Sequence, residues 1–240
     1  MPTITSRGGI PLAYAHRTGT GPTLVFLPGY MSDMEGGKAL AVDAWCGENG
    51  RACLRLDYSG CGASGGAFKD GTLTRWRDDV LDVIAAAAPE GPLVLIGSSM
   101  GGWLMLLVAL AIPARVSGLV GIAAAPDFTD WGFTDARKAA FARGEDLVEP
   151  SAYSDEPYVT TAALWRSGEA SRLLDAPVPL TCPVRLLHGQ ADPDVPWSVS
   201  LRLAEALGSA DVQTLLVKDG DHRLSRPQDI ALLLRVIEDL

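Results

Sequence analysis

Short apolar runs alternate with longer amphipathic segments along most of the chain. The short runs are rich in β-branched residues, as strands are, and lie at Ile10–His16, Thr23–Leu27, Ala52–Leu56, Leu93–Ile96, Leu119–Ile122, Val184–Leu187 and Val212–Val217. Helical periodicity marks the segments between them, at Lys38–Cys46, Leu73–Ala88, Trp103–Ala111, Trp197–Leu207 and Gln228–Leu240. The alternation predicts an α/β protein with a mostly parallel twisted sheet and helices on both faces.

One stretch, residues 127–180, breaks this alternation with charges, turn residues and aromatics. A connection of that length is too long for a plain loop, so we expect a partly structured insertion that forms a lid. A helical decoration without a catalytic role is the alternative. With 48% hydrophobic and 20% charged residues, the 240-residue chain is expected to form a single domain over residues 1–240.

Charge and cysteine content narrow the classes of ligand. The net charge is −9 and the basic residues form no run, which argues against nucleic acid and anionic lipid surfaces as partners. The four cysteines include no C-x-x-C pair, so neither a disulfide framework nor a zinc site is indicated. We expect a small-molecule or acylated substrate, and neither a metal nor a cofactor.

The start of the chain shows neither a secretory nor an organellar targeting pattern. Residues 91–114 carry no charge and are long enough to span a bilayer. A turn-forming segment at residues 97–102 interrupts them, so a buried strand, a turn and a buried helix explain the stretch better. We therefore expect a cytoplasmic chain without a membrane span.

The turn at residues 97–101, with the sequence GSSMG, carries the clearest chemical motif. It matches G-x-S-x-G between a buried strand and an apolar helix, which is the context of a nucleophile elbow. The sharp turn requires small residues two positions before and two positions after the nucleophile. Gly97 and Gly101 meet that requirement for Ser99, whereas Ser98 has larger neighbours there. Ser99 is the predicted nucleophile.

A serine hydroxyl needs a base, and hydrolases with this elbow place the catalytic residues in the order Ser, acid, His. Of the three histidines, only His222 follows both Ser99 and a plausible acid. We therefore predict that His222 is the base. His16 lies on an early strand and His188 ends a later one, and both are interpreted as structural.

Two aspartates compete for the role of the acid. Asp192 and Asp194 both lie in the loop after the strand Val184–Leu187. Asp192 is favoured because it is nearer to the strand end, where the functional groups of such sheets gather. For either aspartate, a helix N-cap or a solubilising role is the alternative.

The backbone amides of Met100 and Tyr30 are the predicted oxyanion hole. Met100 directly follows the nucleophile, and Tyr30 lies in the loop after the strand Thr23–Leu27. Gly29 would let that loop approach the elbow. A role as a pocket wall is also open to Tyr30.

Two further features are less specific. Residues 60–65 match G-x-G-x-x-G, but no helix opens at Gly65 and no acid follows about twenty residues later, so we interpret them as a turn. The aromatic residues of the insertion either line an apolar substrate pocket or form its ordinary core; they are Trp131, Phe133, Tyr153, Tyr158 and Trp165.

Taken together, several motifs resemble those of α/β-hydrolases: Leu27 to Tyr30, Asp57 to Ser64, Gly97 to Trp103, His188 to Asp192 and Asp221 to Arg223. More narrowly, the chain is similar to the α/β-hydrolase domain-containing 10 group, whose mitochondrial members act as palmitoyl-protein thioesterases and acyl-glucuronide esterases. The resemblance implies an α/β-hydrolase fold with Ser99, Asp192 and His222 as its catalytic triad. It also implies hydrolysis of acyl thioesters or carboxylic esters through an acyl-enzyme.

Other functions are kept as alternatives. Within enzymes, the runner-up is a small-molecule carboxylesterase or acyl-glucuronide esterase without thioester preference. From another class, a ligand-binding protein on a hydrolase scaffold would keep the pocket and lose a member of the triad. The presence of all three residue types in the expected order favours an enzyme.

Overall fold

An eight-stranded sheet lies at the centre of the computed structural model, which describes residues 1–150 and 157–240. Its strands are β1 (Thr3–Thr5), β2 (Pro11–Arg17), β3 (Thr20–Leu27), β4 (Arg51–Leu56), β5 (Leu93–Ser98), β6 (Val116–Ile122), β9 (Val184–Gly189) and β10 (Val212–Val217). They are arranged in the order β1-β2-β4-β3-β5-β6-β9-β10. Strand β2 is antiparallel to both of its neighbours, and the remaining pairs are parallel. The predicted α/β fold with a mostly parallel sheet is confirmed.

Residues 24–27 of β3 and 93–96 of β5 are continuous apolar runs because both faces of the sheet are covered. In β3, Leu24 and Phe26 belong to the core on one face, whereas Val25 and Leu27 belong to the core on the other. The four side chains are almost fully buried. Successive side chains of β3 therefore alternate between the two faces of the sheet, although the sequence shows a continuous apolar run.

Helices cover the two faces in separate groups. Helices α1 (Gly37–Glu48) and α8 (Pro227–Glu238) pack on one face. The larger core, on the other face, holds α2 (Leu73–Ala87), α3 (Met100–Ala111) and α7 (Ser198–Ala206). Helix α3 begins at Met100, three residues before the predicted start at Trp103. The prediction left out this first turn because it contains Gly101 and Gly102. Glycine lowers helix propensity, yet close packing leaves no room here for a side chain.

The segment between β6 and β9 carries its own short elements. They are α4 (Phe128–Trp131), α5 (Asp135–Arg143), β7 (Leu147–Glu149), β8 (Tyr158–Thr160) and α6 (Ala162–Glu169), with β7 and β8 forming an antiparallel pair. Buried Asp127 joins the two ends of the segment, since its carboxylate accepts hydrogen bonds from the amides of Leu173 and Leu174 at 2.9 and 2.8 Å. Leu164 and Leu174 join the larger core and fasten the segment to the sheet.

Candidate active site

Ser99 occupies the sharp turn between β5 and α3. Its φ of 54° and ψ of −121° lie in a region that residues other than glycine rarely adopt. A Cβ added at Gly101 would lie only 2.1 Å from the carbonyl oxygen of Leu27, so only glycine fits at that position. Ser98, by contrast, is the last residue of β5 and is buried. Of the two serines, the turn presents Ser99 to the loops at the carboxyl ends of the strands.

His222 lies between Ser99 and Asp192. Its Nε2 is 3.1 Å from Ser99 Oγ, and its Nδ1 is 2.8 Å from Asp192 Oδ2. The two loops that carry the histidine and the aspartate touch, because the Ala191 amide donates to the Gly220 carbonyl at 2.9 Å. A Cβ at Gly189 would lie 2.1 Å from the same carbonyl oxygen, so glycine is required for this close approach.

The Asp192 side chain has no exposed surface. Its Oδ1 accepts hydrogen bonds from the amides of Asp194 and Val195 at 2.8 and 2.9 Å. Burial alone would raise the pKa of Asp192, but hydrogen bonds from His188, His222 and the Val195 amide outweigh burial and hold that pKa below its usual range. Asp192 is therefore ionised in the folded protein at neutral pH.

Asp194 lies beside this carboxylate on the exposed side of the loop. Asp192, Asp194 and His222 bring ligand atoms within 4.8 Å of one another, and they are the only such set of possible metal ligands in residues 1–150 and 157–240. A metal ion bound there would compete with the hydrogen bonds that His222 forms with Ser99 and Asp192. The geometry thus suits a charge-stabilised imidazole better than a metal centre.

The loop after β3 passes close to the elbow. A Cβ added at Gly29 would lie 3.3 Å from the Ser98 carbonyl oxygen and 3.4 Å from Ser99 Cβ. The Tyr58 hydroxyl donates to the Pro28 carbonyl at 2.9 Å and anchors the loop from below. The amides of Tyr30 and Met100, which directly follow Gly29 and Ser99 in the chain, donate to no group among the described residues. They are available to a negatively charged oxygen.

Tyr30 also joins this loop to the insertion. Its hydroxyl donates a short hydrogen bond to the Val159 carbonyl, and its ring stacks on Tyr158 with centroids 5.9 Å apart. Burial raises the pKa of Tyr30 well above its usual value, so the phenol stays neutral. The predicted pocket residue Tyr158 therefore lies against the side chain of the predicted oxyanion residue.

The other aromatic residues of the insertion fall in different places. Trp131 borders an open cleft of about 550 Å³, together with Trp197, Gln190 and Asp194. Phe133 and Trp165 lie on either side of buried Phe141, at centroid distances of 5.0 and 5.7 Å. Tyr153 lies outside the described residues.

Sequence reasoning gave no role to two residues that lie near the candidate site. Trp197, which the sequence places only at the start of a helix, borders the cleft and is partly exposed, and its position five residues after Asp192 is the signal that could have found it. Lys38 was missed as well, and it donates a short hydrogen bond from Nζ to the carbonyl of Arg223, next to His222. That contact joins residues 185 positions apart, so no local pattern could reveal it.

The sheet, the strained serine turn and the hydrogen-bonded Ser, His and Asp define a class: hydrolases with the α/β-hydrolase fold. A model of the alpha/beta hydrolase family matches residues 24–231, and this chain belongs to that family.

Known proteins resemble the chain over nearly its whole length. Human palmitoyl-protein thioesterase ABHD10, mitochondrial, is 43% identical over 234 residues, which are 95% of this chain and 76% of that protein. A putative hydrolase from Agrobacterium vitis S4 has a TM-score of 0.93 at 42% identity, covering 99% of this chain and 97% of the other. Mouse α/β hydrolase domain-containing protein 10 has a TM-score of 0.91 at 41% identity, covering 99% and 96%. The chain is accordingly a hydrolase of ester or thioester bonds.

The location expected from the sequence is contradicted by these relatives. The human, mouse and bovine proteins at 43% identity are named as mitochondrial, so the cytoplasmic expectation is wrong. That expectation rested on the absence of a targeting pattern, and an absence does not determine a location. In the described ranges, the structure contains no helix with the length and apolar character needed to cross a membrane.

Proposed function

We propose that the chain cleaves acyl thioesters or carboxylic esters with Ser99 as nucleophile, His222 as general base and Asp192 as the acid that orients it. The observation that carries this proposal is the continuous hydrogen-bonded series from Ser99 Oγ to His222 Nε2 and from His222 Nδ1 to Asp192 Oδ2. Each of the two distances is within the range that proton transfer or charge stabilisation requires.

The reaction proceeds in two halves. His222 Nε2 takes the Ser99 proton while Oγ attacks the acyl carbon, and ionised Asp192 stabilises the resulting imidazolium. The imidazolium then gives its proton to the departing thiol or alcohol, which leaves an ester on Ser99. Water, deprotonated by His222, attacks that ester, and the carboxylic acid departs as Ser99 regains its proton.

The amides of Tyr30 and Met100 form the proposed oxyanion hole. They flank the place where Gly29 approaches Ser99, so both can face the oxygen of a tetrahedral intermediate. Aromatic packing of Tyr158 on Tyr30 supports the position of the Tyr30 amide from the side of the insertion. The donors are thereby fixed before the substrate arrives.

The residues that we propose for the substrate pocket are those of the insertion. Trp131 borders the open cleft and Tyr158 covers the oxyanion loop, so these two are proposed as direct walls. Phe133 and Trp165 shape the pocket through their packing with Phe141. Tyr153 completes the proposed set. Residues 127–180 act in this proposal as the lid of a single catalytic domain that comprises residues 1–240.

An acyl group of medium or long chain is the proposed substrate feature. The relatives at 43% identity are named palmitoyl-protein thioesterases, and palmitate is a long acyl chain. Apolar walls can supply most of the binding energy for such a chain. A thioester suits this chemistry because its thiolate departs without strong protonation.

A small-molecule carboxylesterase is the second candidate. Polar residues in the open cleft favour it, because Gln190, Asp194 and Ser198 could bind the hydroxyl groups of a small alcohol. Acyl-glucuronide hydrolysis belongs to the same candidate. The two candidates differ in the scissile bond and chain length that they prefer.

One experiment separates them. Purified protein is labelled with a fluorophosphonate probe, the labelled peptide is identified, and matched oxygen and sulfur esters of each acyl length are then compared. We expect the label on Ser99 and higher kcat/KM for long-chain thioesters. A label on another residue would refute the assignment of the nucleophile, and a preference for short oxygen esters would favour the second candidate.

A further inference from the structure

His188 is the second-last residue of β9, lies four residues before Asp192 and is fully buried. Its Nδ1 is 2.7 Å from the hydroxyl oxygen of Ser200 on α7. Its Nε2 is 3.0 Å from the carbonyl oxygen of Val195 and 3.2 Å from Asp192 Oδ2. The sequence indicated a structural histidine, yet the structure places it on the carboxylate that also binds His222.

These contacts determine which ring nitrogen of His188 carries the proton. Nε2 faces a carbonyl and a carboxylate, which only accept hydrogen bonds, so Nε2 must donate. The Ser200 hydroxyl can donate to Nδ1, which leaves Nε2 as the ring nitrogen that carries the hydrogen. Ser200 is also buried, so water does not compete for that nitrogen.

Asp192 is consequently surrounded by donors. Two backbone amides donate to Oδ1, and His222 Nδ1 binds Oδ2. His188 Nε2, which also faces the Val195 carbonyl, is a further donor 3.2 Å from Oδ2. A carboxylate whose negative charge is partly neutralised by a second hydrogen-bond donor stabilises the cationic form of its first partner less. The second donor on Oδ2 thus acts on His222 through the aspartate.

We propose that His188 is a positioning residue for the reaction: its Nε2–H, which lies between the Val195 carbonyl and Asp192 Oδ2, holds that carboxylate in line with His222 Nδ1. This inference rests on the proposed triad. Of the residues that His188 contacts, which are Ser200, Val195 and Asp192, only Asp192 binds His222, so the influence of His188 on His222 passes through Asp192.

Other charged groups around His222 stay unchanged when His188 is replaced. The Asp194 carboxylate lies within 4.8 Å in the same loop as the acid. Asp221 and Arg223 flank His222 in sequence, and Lys38 reaches the Arg223 carbonyl from α1. Ser99 faces the Nε2 atom of His222 from the elbow. A difference between wild type and a His188 variant therefore reports on His188.

The chain contains only three histidines, which allows a direct titration by NMR of protein labelled with ¹³C-histidine. The variants are His188→Leu, which removes the donor, and His188→Gln, whose side-chain amide can replace it. His16→Asn assigns the third signal. Val199→Ala, at a buried neighbour on α7, is the matched packing control.

In His188→Leu, the titration midpoint of His222 is expected to rise by about 0.5 to 1 pH unit, because the whole carboxylate charge then faces the imidazolium. The acid limb of kcat/KM moves by the same amount, and kcat falls by up to about tenfold while KM changes little. His188→Gln returns both midpoints toward wild type. Val199→Ala lowers the thermal midpoint and leaves the titration unchanged.

A midpoint that stays constant or falls in His188→Leu would overturn the proposal, as would a Val199→Ala variant that shifts it equally. If His188→Leu does not fold, the titration of His188→Asn, which shortens the side chain and withdraws the donor from Oδ2, decides in its place. The NMR titration needs no substrate. Failure of the proposed function would appear as missing Ser99 labelling, whereas failure of this inference would appear as an unchanged His222 titration.

Discussion

At the scale of single residues, the backbone of Ser99 is held in place from several sides. Its amide donates to the Ile122 carbonyl at 2.9 Å, and its own carbonyl accepts from the amides of Gly102 and Ala125 at 2.9 and 3.0 Å. Such over-determination is what allows an unfavourable φ to persist at a functional site. The side chain itself is absent from these bonds, so a change of side chain should affect chemistry far more than folding.

Ser99→Ala is therefore expected to lower kcat by about 10⁴- to 10⁶-fold, because the nucleophile is lost while the oxyanion donors remain. Steady-state assays with a chromogenic acyl ester provide the measurement. Ser98→Ala is the matched control and should retain most activity, since Ser98 ends β5 as a buried residue. Comparable losses in both variants would contradict the assignment.

The two neighbouring aspartates make a second pair. Asp192→Asn should lower kcat by about 10⁴-fold, because the amide favours the wrong tautomer of His222. Asp194→Asn should be far milder, since the direct bond to His222 Nδ1 comes from Asp192. Equal losses, or the reverse ranking, in kcat measured at neutral pH would remove Asp192 from its proposed role.

The same carboxylate predicts a dependence of stability on pH. The pKa of Asp192 is depressed in the folded protein by its hydrogen-bond donors, although burial opposes them. Its contribution to the free energy of unfolding is therefore present above the pKa of the unfolded chain and is lost as pH falls below it. Comparing urea unfolding of wild type and Asp192→Asn across acidic pH tests this sign, and a gap that widens on acidification would contradict it.

At the scale of elements, Asp127 binds the far end of the insertion. Asp127→Ala leaves the amides of Leu173 and Leu174 without their acceptor and should lower the free energy of unfolding by about 2 kcal/mol. Asp127→Asn keeps one acceptor oxygen and tolerates the left-handed backbone at this position, so its loss should be smaller. Urea denaturation and hydrogen exchange of residues 128–174 measure the effect. Identical losses in the two variants would show that the carboxylate does not fasten the insertion.

Lys38 connects α1 with the loop of His222. Burial, together with the charge of Arg223, lowers the pKa of Lys38 to about 8 from 10.5. Between these values the unfolded chain binds more protons than the folded one, so the contribution of Lys38 to stability rises with pH. Lys38→Met should remove that rise. The difference in the free energy of unfolding between wild type and Lys38→Met, measured by urea unfolding, should therefore be larger at about pH 9.5 than at about pH 7. A difference that does not vary with pH would contradict the expectation.

At the scale of the whole molecule, we expect the insertion and the net charge of −9 together to determine substrate preference. Long-range repulsion disfavours strongly anionic substrates, and the aromatic residues favour apolar acyl chains. We expect kcat/KM to rise from acetyl toward medium or long neutral acyl groups, at about 0.8 kcal/mol per buried methylene before losses to imperfect burial.

Trp131→Ala and Trp165→Ala should flatten that rise, the first at the cleft and the second through the packing of Phe141. Trp45→Ala, on α1 beside Arg51, is the matched tryptophan control and should leave the slope unchanged. A flat acyl series, or a slope that neither insertion variant alters, would replace the acyl-pocket proposal with the small-ester candidate.

Several parts of the protein were determined by local sequence. Period and composition predicted the strands and the α/β class, because a sheet buried on both faces requires apolar runs separated by helices. The glycines around Ser99 predicted the turn, since only they leave room for it. The order Ser, acid, His that accompanies this elbow singled out His222, and the rule that functional groups lie after strand ends favoured Asp192 over Asp194. The strands and the turn depend on neighbours within a few residues, and the order of the three candidate residues is read directly from the chain.

Tertiary structure alone decided the contacts between distant segments. The ring of His188 on Asp192, the amine of Lys38 on the Arg223 carbonyl and the stacking of Tyr158 on Tyr30 each depend on how separate loops meet at one edge of the sheet. Hydrophobic periodicity records which side of an element is buried and carries no information on which remote side chain it meets. For that physical reason the sequence identified residue types and their order, whereas the fold assigned each of them its partner.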